Sequence, residues 1–306
     1  MLSVYLPLLF SALFGVAAPT LGRRLPPAAA TWLLSVGGLL AAAGSAASFA
    51  LLGFTLVGQA PLLAARGHWS DTALRHADPV WPPIAAAAIA ALLVLAARFA
   101  LAAGRRLSAL RAAYQLAAVL PAAGGELAVI DHPGLHAYAV PGRPGRIVVT
   151  ATLLRTLNAA ERRAVLAHER AHLTHRHHLH HTIVHLAAAA NPLLRLLPAA
   201  VALSTERWAD EDAALACRRD TVAAALTTTG AGTRTFATPA VVLAAAATDV
   251  AVRIHALRSP APRLTPWRVT LLLGLLVATV LAVAEAAHDT EQLFEFAQYA
   301  YRIGHR

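Results

Sequence analysis

No lysine occurs in this sequence, cysteine occurs once, and only 14% of its 306 residues carry charge. The lone cysteine, Cys217, excludes an intramolecular disulfide framework and a cysteine-built zinc cluster, and it reads as a small hydrophobe rather than a nucleophile. The scarcity of charge, with 58% apolar residues, excludes a wholly soluble chain. What remains is a membrane-protein composition with length to spare for one modest soluble domain. The net charge of +10 comes entirely from arginine. No basic stretch is interleaved with aromatics, so direct nucleic-acid binding is not indicated. In a multi-span protein, arginines gather instead at cytoplasmic loops facing anionic lipid.

Four stretches are apolar and long enough to cross a bilayer, which takes about 20 helical residues. They run over Leu2–Thr20, Ala30–Val57, Pro82–Ala103 and Val269–Ala287. The first lacks the basic start of a signal peptide and is soon followed by another apolar stretch, so it reads as a retained span. The second is rich in small residues that favour close helix packing. Between spans two and three, residues 58–81 read as a loop. Arginines follow span one (Arg23, Arg24) and span three (Arg105, Arg106, Arg111) and precede span four (Arg263, Arg268). Those edges are therefore expected in the cytoplasm, with the N-terminus, the 58–81 loop and a short tail outside.

The cytoplasmic segment carries Val165-Leu-Ala-His-Glu-Arg-Ala-His-Leu173. His168 and His172 lie one helical turn apart on one face, where they can share a metal ion. Glu169 between them is placed to take a proton from a metal-bound water. Asn158 followed by Glu161 predicts a capped start for this helix. A surface histidine cluster is the competing reading. A catalytic zinc needs a third protein ligand, and Glu206-Arg-Trp-Ala-Asp210 offers two carboxylates on one helical face. One would bind metal and the other would orient a histidine.

Thr182–Leu203 is apolar enough to pass for another span, but crossing would part His172 from Glu206 by about 30 Å of hydrocarbon. Zinc bonds are about 2 Å long. Pro192 supplies a break, so two helical arms are expected to meet near Asn191, either dipping into the membrane or packed on the domain. Before the metal helix, Tyr114–Pro121 continues as a linker helix, and Leu127–Ile130, Ala137–Val140 and Arg146–Thr150 read as short strands. The last two suggest a hairpin, whose edge beside the metal helix could take an extended peptide by strand addition. His175, His177, His178, His180, His181 and His185 invite a second-metal reading, set against an interfacial helix whose histidines face headgroups and water. Ala237–Leu257 reads as an alanine-rich helix. Near its end, Arg253 and His255 are candidates to stabilise a transition-state oxyanion, or are surface charges.

In order, these features resemble the membrane-embedded gluzincin metallopeptidases, closest to the BlaR/MecR-type sensor-transducers and their shorter relatives, with HtpX-type and CAAX prenyl-protease enzymes further off. The likeness rests on His136-Ala-Tyr-Ala-Val140 to Ile147-Val-Val-Thr150, Leu153–Leu157, the His168–His172 helix, Asn191-Pro192-Leu193 and Glu206–Asp210. It implies a mainly α-helical multi-pass membrane protein with a zincin-like α+β metallopeptidase domain, built on a small edge hairpin and the His-Glu-x-x-His helix. It implies one zinc per chain on His168, His172 and Glu206, with Glu169 as general base and Asp210 as supporting acid. Members often carry Asp shortly after the second histidine, where this chain has His177 or His178. No Ser-x-x-Lys acylation motif is present, so the likeness is to a short form without the sensor domain.

The expected organisation is a three-span region at 1–103 and a cytoplasmic zinc metallopeptidase domain at 104–268, with a non-spanning hairpin at 182–203. The last span and tail follow at 269–306. The expected activity is hydrolysis of peptide bonds in a protein, such as a cytoplasmic repressor or a damaged membrane protein, at the cell membrane. A non-enzymatic transducer that keeps the fold is the alternative.

Overall fold

Close packing between small-residue faces organises the chain around four long apolar helices. The computed structural model describes residues 2–120, 125–232, 240–260 and 266–304. Among these, the helices long and apolar enough to cross a membrane lie in the four stretches expected from hydropathy. They are α1 (Leu6–Arg24, after a 3-10 turn at Leu2–Tyr5), α2 (Pro27–Gly58), α5 (Pro82–Val119) and α12 (Pro266–Gly304). The last two run well past their apolar parts, at 38 and 39 residues. The expected boundary at 103 therefore falls inside α5, and the expected tail beyond 287 is a continuation of α12. Alanine, leucine and arginine hold helix well beyond the apolar stretch, and no proline interrupts either helix past its first turn. Arg263, Pro121 and residues 237–239 lie outside the described residues; the alanine-rich helix is seen as α11 (Ala240–Arg258).

The connection between α2 and α5 is not a plain loop. It forms α3 (Pro61–Gly67) and α4 (Asp71–Ala77), the latter capped by the Ser70 hydroxyl. Trp69 packs edge-on against Phe294, and the Ser70 N–H donates to the Ala297 carbonyl at 2.9 Å, so this cap closes over the end of α12.

The apolar stretch after the metal helix turns back. It forms α8 (His177–Ala190), a 3-10 turn at Pro192–Leu194 and α9 (Leu197–Ala216). Pro192 cannot continue α8, and Asn191 leaves helical geometry at φ −142°. The arms pack between α1, α2 and α5, not on the sheet. At the tip the Asn191 amide donates to the Ser45 hydroxyl at 2.8 Å, and Ser45 and Ser11 share a hydrogen bond at 2.8 Å. Ser11 donates in turn to the Ala41 carbonyl at 2.9 Å. These partners sit in the middle of α1 and α2, so the hairpin reaches about halfway along them. Gly15 is required there, since a Cβ on it would lie 2.1 Å from the Leu193 carbonyl oxygen. Overpacking of that kind costs about 1–3 kcal/mol.

The strands form where the branched residues predict them: β1 (Leu127–Ile130), β2 (Ala137–Val140) and β3 (Arg146–Thr150). β2 and β3 are antiparallel, as the hairpin reading expects, while β1 runs parallel to β3 in the order β1-β3-β2. β2 is thus an edge strand. The sheet is buried on both faces, which explains its unbroken Ile147-Val-Val run. Val140 and Val148 face Ala113 and Ala117 of α5, while Ile147 and Val149 face Leu153 and Leu157. The second face packs on α6 (Ala151–Thr156) and α7 (Ala159–Thr174), setting β2 beside the metal helix.

The bundle therefore has two distinct ends, with the sheet and α7 at one and the α3–α4 cap at the other. In a Cys217→Ser background, single cysteines at the exposed Thr156 and at Thr228 are expected to label from the same side of intact cells, and one at Gln292 from the opposite side. Labelling of Thr156 and Thr228 from opposite sides would mean that the hairpin crosses.

Candidate metal centre

α7 starts where its cap predicts. Asn158 Oδ1 accepts from the Ala160 and Glu161 N–H groups, each at 2.9 Å, and Glu161 returns a bond to the Asn158 N–H at 3.0 Å. Such a cap is worth about 1 kcal/mol and fixes the phase of the helix. One turn apart on its inner face, His168 and His172 point their Nε2 atoms at a common space, 3.2 Å from each other. α9, coming back from the hairpin, brings Glu206 there, with Oε2 3.5 Å from His168 Nε2 and Oε1 3.5 Å from His172 Nε2. A tetrahedral ion with bonds of about 2.0–2.1 Å has ligand atoms about 3.3–3.4 Å apart. The two imidazole nitrogens are close to that spacing, and one ligand atom from each of the three residues lies within 4.8 Å of the others. Among the described residues, His168, His172 and Glu206 are the one group of three or more potential ligands that converge.

Each histidine is turned toward this space by a partner on its other nitrogen. His168 Nδ1 meets Asp210 Oδ1 at 3.0 Å, the supporting role that the spacing of Glu206 and Asp210 suggests. His172 Nδ1 meets His177 Nδ1 at 2.8 Å. His177, one of the two histidines at the departure from the resembled pattern, reaches His172 because Arg176 adopts a left-handed conformation, φ 51°, that kinks the chain between α7 and α8. No helical spacing links the two rings, so the sequence offers only that departure as a signal. Arg253 comes from α11 and clamps both carboxylates. Its Nε and one terminal nitrogen donate to Asp210 at 2.8 and 2.7 Å, and its other terminal nitrogen meets Glu206 at 2.8 Å. Arg253 is thus at the site with its donors held by carboxylates. His255, two residues on, is exposed and lines neither cavity of the site.

The electrostatics suit a cation. Burial disfavours a charged His168, but hydrogen bonds to Asp210 and Glu206 win and lift it to about 10. This corner of the site holds positive charge even without metal. Burial lowers His172 to about 4, leaving it neutral with a free lone pair. Burial opposes charge on Glu206 as well, yet hydrogen bonding to His168 and the charge of Arg253 hold it below the usual carboxylate range. Glu169 is raised, chiefly by burial, while a hydrogen bond from the Ala139 backbone of β2 pulls the other way. A carboxylate shifted upward is a better proton acceptor near neutral pH.

Residues 102–248 match the family profile described as Peptidase family M48. No curated protein and no solved structure matches the chain. The match takes in the sheet, α7, the hairpin and the Glu206–Asp210 turn of α9, and it supports a metallopeptidase. Members of that family are zinc enzymes, and the donor set of two imidazoles and one carboxylate is one that zinc takes.

The rest of the histidine run departs from the interfacial reading. His177 and His180 are buried, not turned to headgroups. His180 bonds the Ser35 hydroxyl at 3.0 Å and meets Trp32 edge-on, while His181 bonds Thr205 at 3.1 Å. His175 stacks on Trp208 and reaches Asp212 at 2.6 Å, a carboxylate partner that proximity in sequence does not reveal. These contacts knit α8 to α2 and α9.

Purified protein is expected to hold one zinc per chain by elemental analysis, with none in His168→Ala or Glu206→Ala. Asp210→Asn and His177→Phe should weaken zinc about 10–100-fold in a competitive chelator titration, because they loosen a ligand without removing it. His177→Asp should restore most of that loss. Undiminished zinc affinity in His177→Phe would remove its orienting role.

Proposed function

We propose that this protein is a membrane-embedded zinc metalloendopeptidase that cuts a protein substrate. The observation that carries this reading is the convergence of His168, His172 and Glu206 beside Glu169 and the outer edge of β2. A zinc ion held by the three ligands supplies a Lewis acid for the scissile carbonyl and acidifies water. The remaining work falls to the chain. β2 offers the rest of its outer edge, beside the Ala139 backbone held by Glu169, to an extended segment of substrate, which fixes the scissile bond over the site. Glu169 accepts a proton from the attacking water and then delivers it to the leaving amine. Asp210, braced by Arg253, keeps His168 in the tautomer with a free Nε2, and His177 does the same for His172.

The substrate we favour is a regulatory protein such as a transcriptional repressor, met on the cytoplasmic face of the membrane. Arginines Arg23, Arg24, Arg105, Arg106 and Arg111 at the edges of the apolar helices support that orientation. We read the chain as a short BlaR/MecR-type form. A transducer that signals by contact alone would have no need of a general base beside a three-ligand centre.

Glu169→Gln should retain its zinc and lose cleavage by at least about 100-fold, since the amide keeps the shape but cannot take a proton. Comparing cellular proteins in the presence of wild type and of this variant should show one that stays uncut. Wild-type turnover by Glu169→Gln, or a metal-free protein that still signals, would sink the protease reading.

A further inference from the structure

Every charged side chain of α9 has a partner. Glu206 and Asp210 meet Arg253, Glu211 pairs with Arg219 of α10 (Arg219–Gly232) at 2.7 Å, and Asp212 meets His175. Arg207 donates to the Gly22 and Arg23 carbonyls at 2.7 and 3.0 Å, closing the end of α1. Arg195, in the turn that leads into α9, is different. It is exposed, and among the described residues its guanidinium meets no carboxylate, carbonyl or ring.

Its neighbours fix its depth in the bundle. Leu193 lies against Gly15, in the middle of α1, and Leu197 lies against Gly38 of α2. From Leu197, α9 rises about 15 Å before Arg207 reaches the arginine end of α1. Arg195 therefore stands about half the thickness of a hydrocarbon core away from that end. An extended arginine side chain reaches about 7 Å, too short to snorkel to the headgroups. Arginine keeps its charge in any environment, and a charge within a membrane is retained with a partner. Arg98 of α5, beside the same tip, has one: its Nε donates to the Ala189 carbonyl near the end of α8 at 3.3 Å.

The apolar helices do not supply the acid that Arg195 lacks. α1, α2 and α5 contain no Asp or Glu, and the first carboxylate of α12 is Glu285. Gly37 meets Leu276 and Gly44 meets Thr279, so that stretch of α12 is level with Arg195. Glu285 lies about 9 Å beyond Thr279, toward the other end of the bundle. A second copy in the same orientation would bring its Glu285 to that same depth. Leu193 and Leu196, on either side of Arg195, are exposed at 44% and 41%, so apolar surface frames the charge. We propose that the hairpin tip docks a membrane-spanning helix of another protein that carries Asp or Glu near its middle. The docking site follows from the membrane-embedded part of the reading above and does not depend on hydrolysis. Away from water an ion pair is far stronger than on a wet surface, and the two leucines pack beside it.

The test uses the full-length Cys217→Ser protein in phosphatidylcholine vesicles, with synthetic polyleucine helices as probes. Each helix carries one Glu, Gln or Lys at its centre, or one Glu near an end. Association is read by energy transfer from the helix to a dye on Gln292→Cys. The central-Glu helix is expected to bind at least about tenfold more tightly than the central-Gln and end-Glu helices. Arg195→Leu should abolish that difference, Arg195→Lys should keep most of it, and Arg195→Glu should move the preference to the central-Lys helix. No preference for central Glu, or one that survives in an Arg195→Leu protein with the wild-type melting curve, would overturn the inference. Self-association lost in Arg195→Leu, without any helix preference, would overturn it in favour of a second copy. Arg195-dependent retention of phosphatidylglycerol, again without helix preference, would overturn it in favour of lipid. A nitroxide on Leu196→Cys should be reached by oxygen and not by a water-soluble nickel chelate. The reverse would put the tip in water, and the membrane-embedded reading would then fall with the docking site.

Discussion

A metal ion with bonds of about 2 Å tolerates no slack between the helices that ligate it. For His168 and His172 on α7 and Glu206 on α9 to share an ion, the two helices must meet that requirement, and it is the constraint on which the rest of the structure turns. His172 and Glu206 are separated by an apolar stretch that would cross a bilayer if left straight. Its return at Asn191 is therefore a condition of the site. The return has a backbone cause in Pro192 and a side-chain anchor in the Asn191–Ser45–Ser11 chain of hydrogen bonds. The anchor lies far from the metal ligands, yet it sets how far α9 travels before Glu206 comes level with His168.

A second support acts close to the ions. Asp210, Arg253 and Glu206 form a buried cluster in which every charge has an opposite neighbour, and His168 is tied into it through Nδ1. Removing Arg253 would leave the buried Asp210 carboxylate without its main partner, a change that typically costs about 3–5 kcal/mol. The cluster draws on α7, α9 and α11, so it fixes the mutual position of three helices as well as the tautomer of one ligand. His172 has a neutral support in His177. His168 and His172 are thus held by different chemistry, one by charge and one by a second imidazole.

Much of this was legible in the sequence wherever the signal is local. The capping box at Asn158 and Glu161, the three strands and the pairing of β2 with β3 follow from residues within a few positions of one another. The His168–His172 spacing is local too, and the turn at Asn191 follows from combining Pro192 with the length of a zinc bond. What sequence did not reveal depends on tertiary contact. β1 joins β3 in parallel only because α5 and α6–α7 cover both faces of the sheet. Arg253 was a candidate donor to substrate, and its attachment to Asp210 and Glu206 appears only once α11 is folded against α9. His177 reaches His172 through a left-handed residue that no periodicity announces. The lengths of α5 and α12 were missed for a simpler reason: hydropathy marks where lipid ends, while helix propensity decides where helix ends.

The small residues of the apolar helices belong to the same account. Between helices in lipid there is little hydrophobic driving force, since the surrounding chains are as apolar as leucine. A hairpin that enters such a bundle without crossing it must be held by close contact and by hydrogen bonds. Gly15 lets the Leu193 carbonyl approach α1, and Gly38 makes room for Leu197, which begins α9. Ser11, Ser35 and Ser45 supply the partners that Asn191 and His180 need where water is absent. The glycines and serines of α1 and α2 are therefore part of the metal centre's support, although none approaches the ligands. They hold the arm that carries Glu206, and the small residues that let the apolar helices pack closely are also what allow that carboxylate to return to the two histidines.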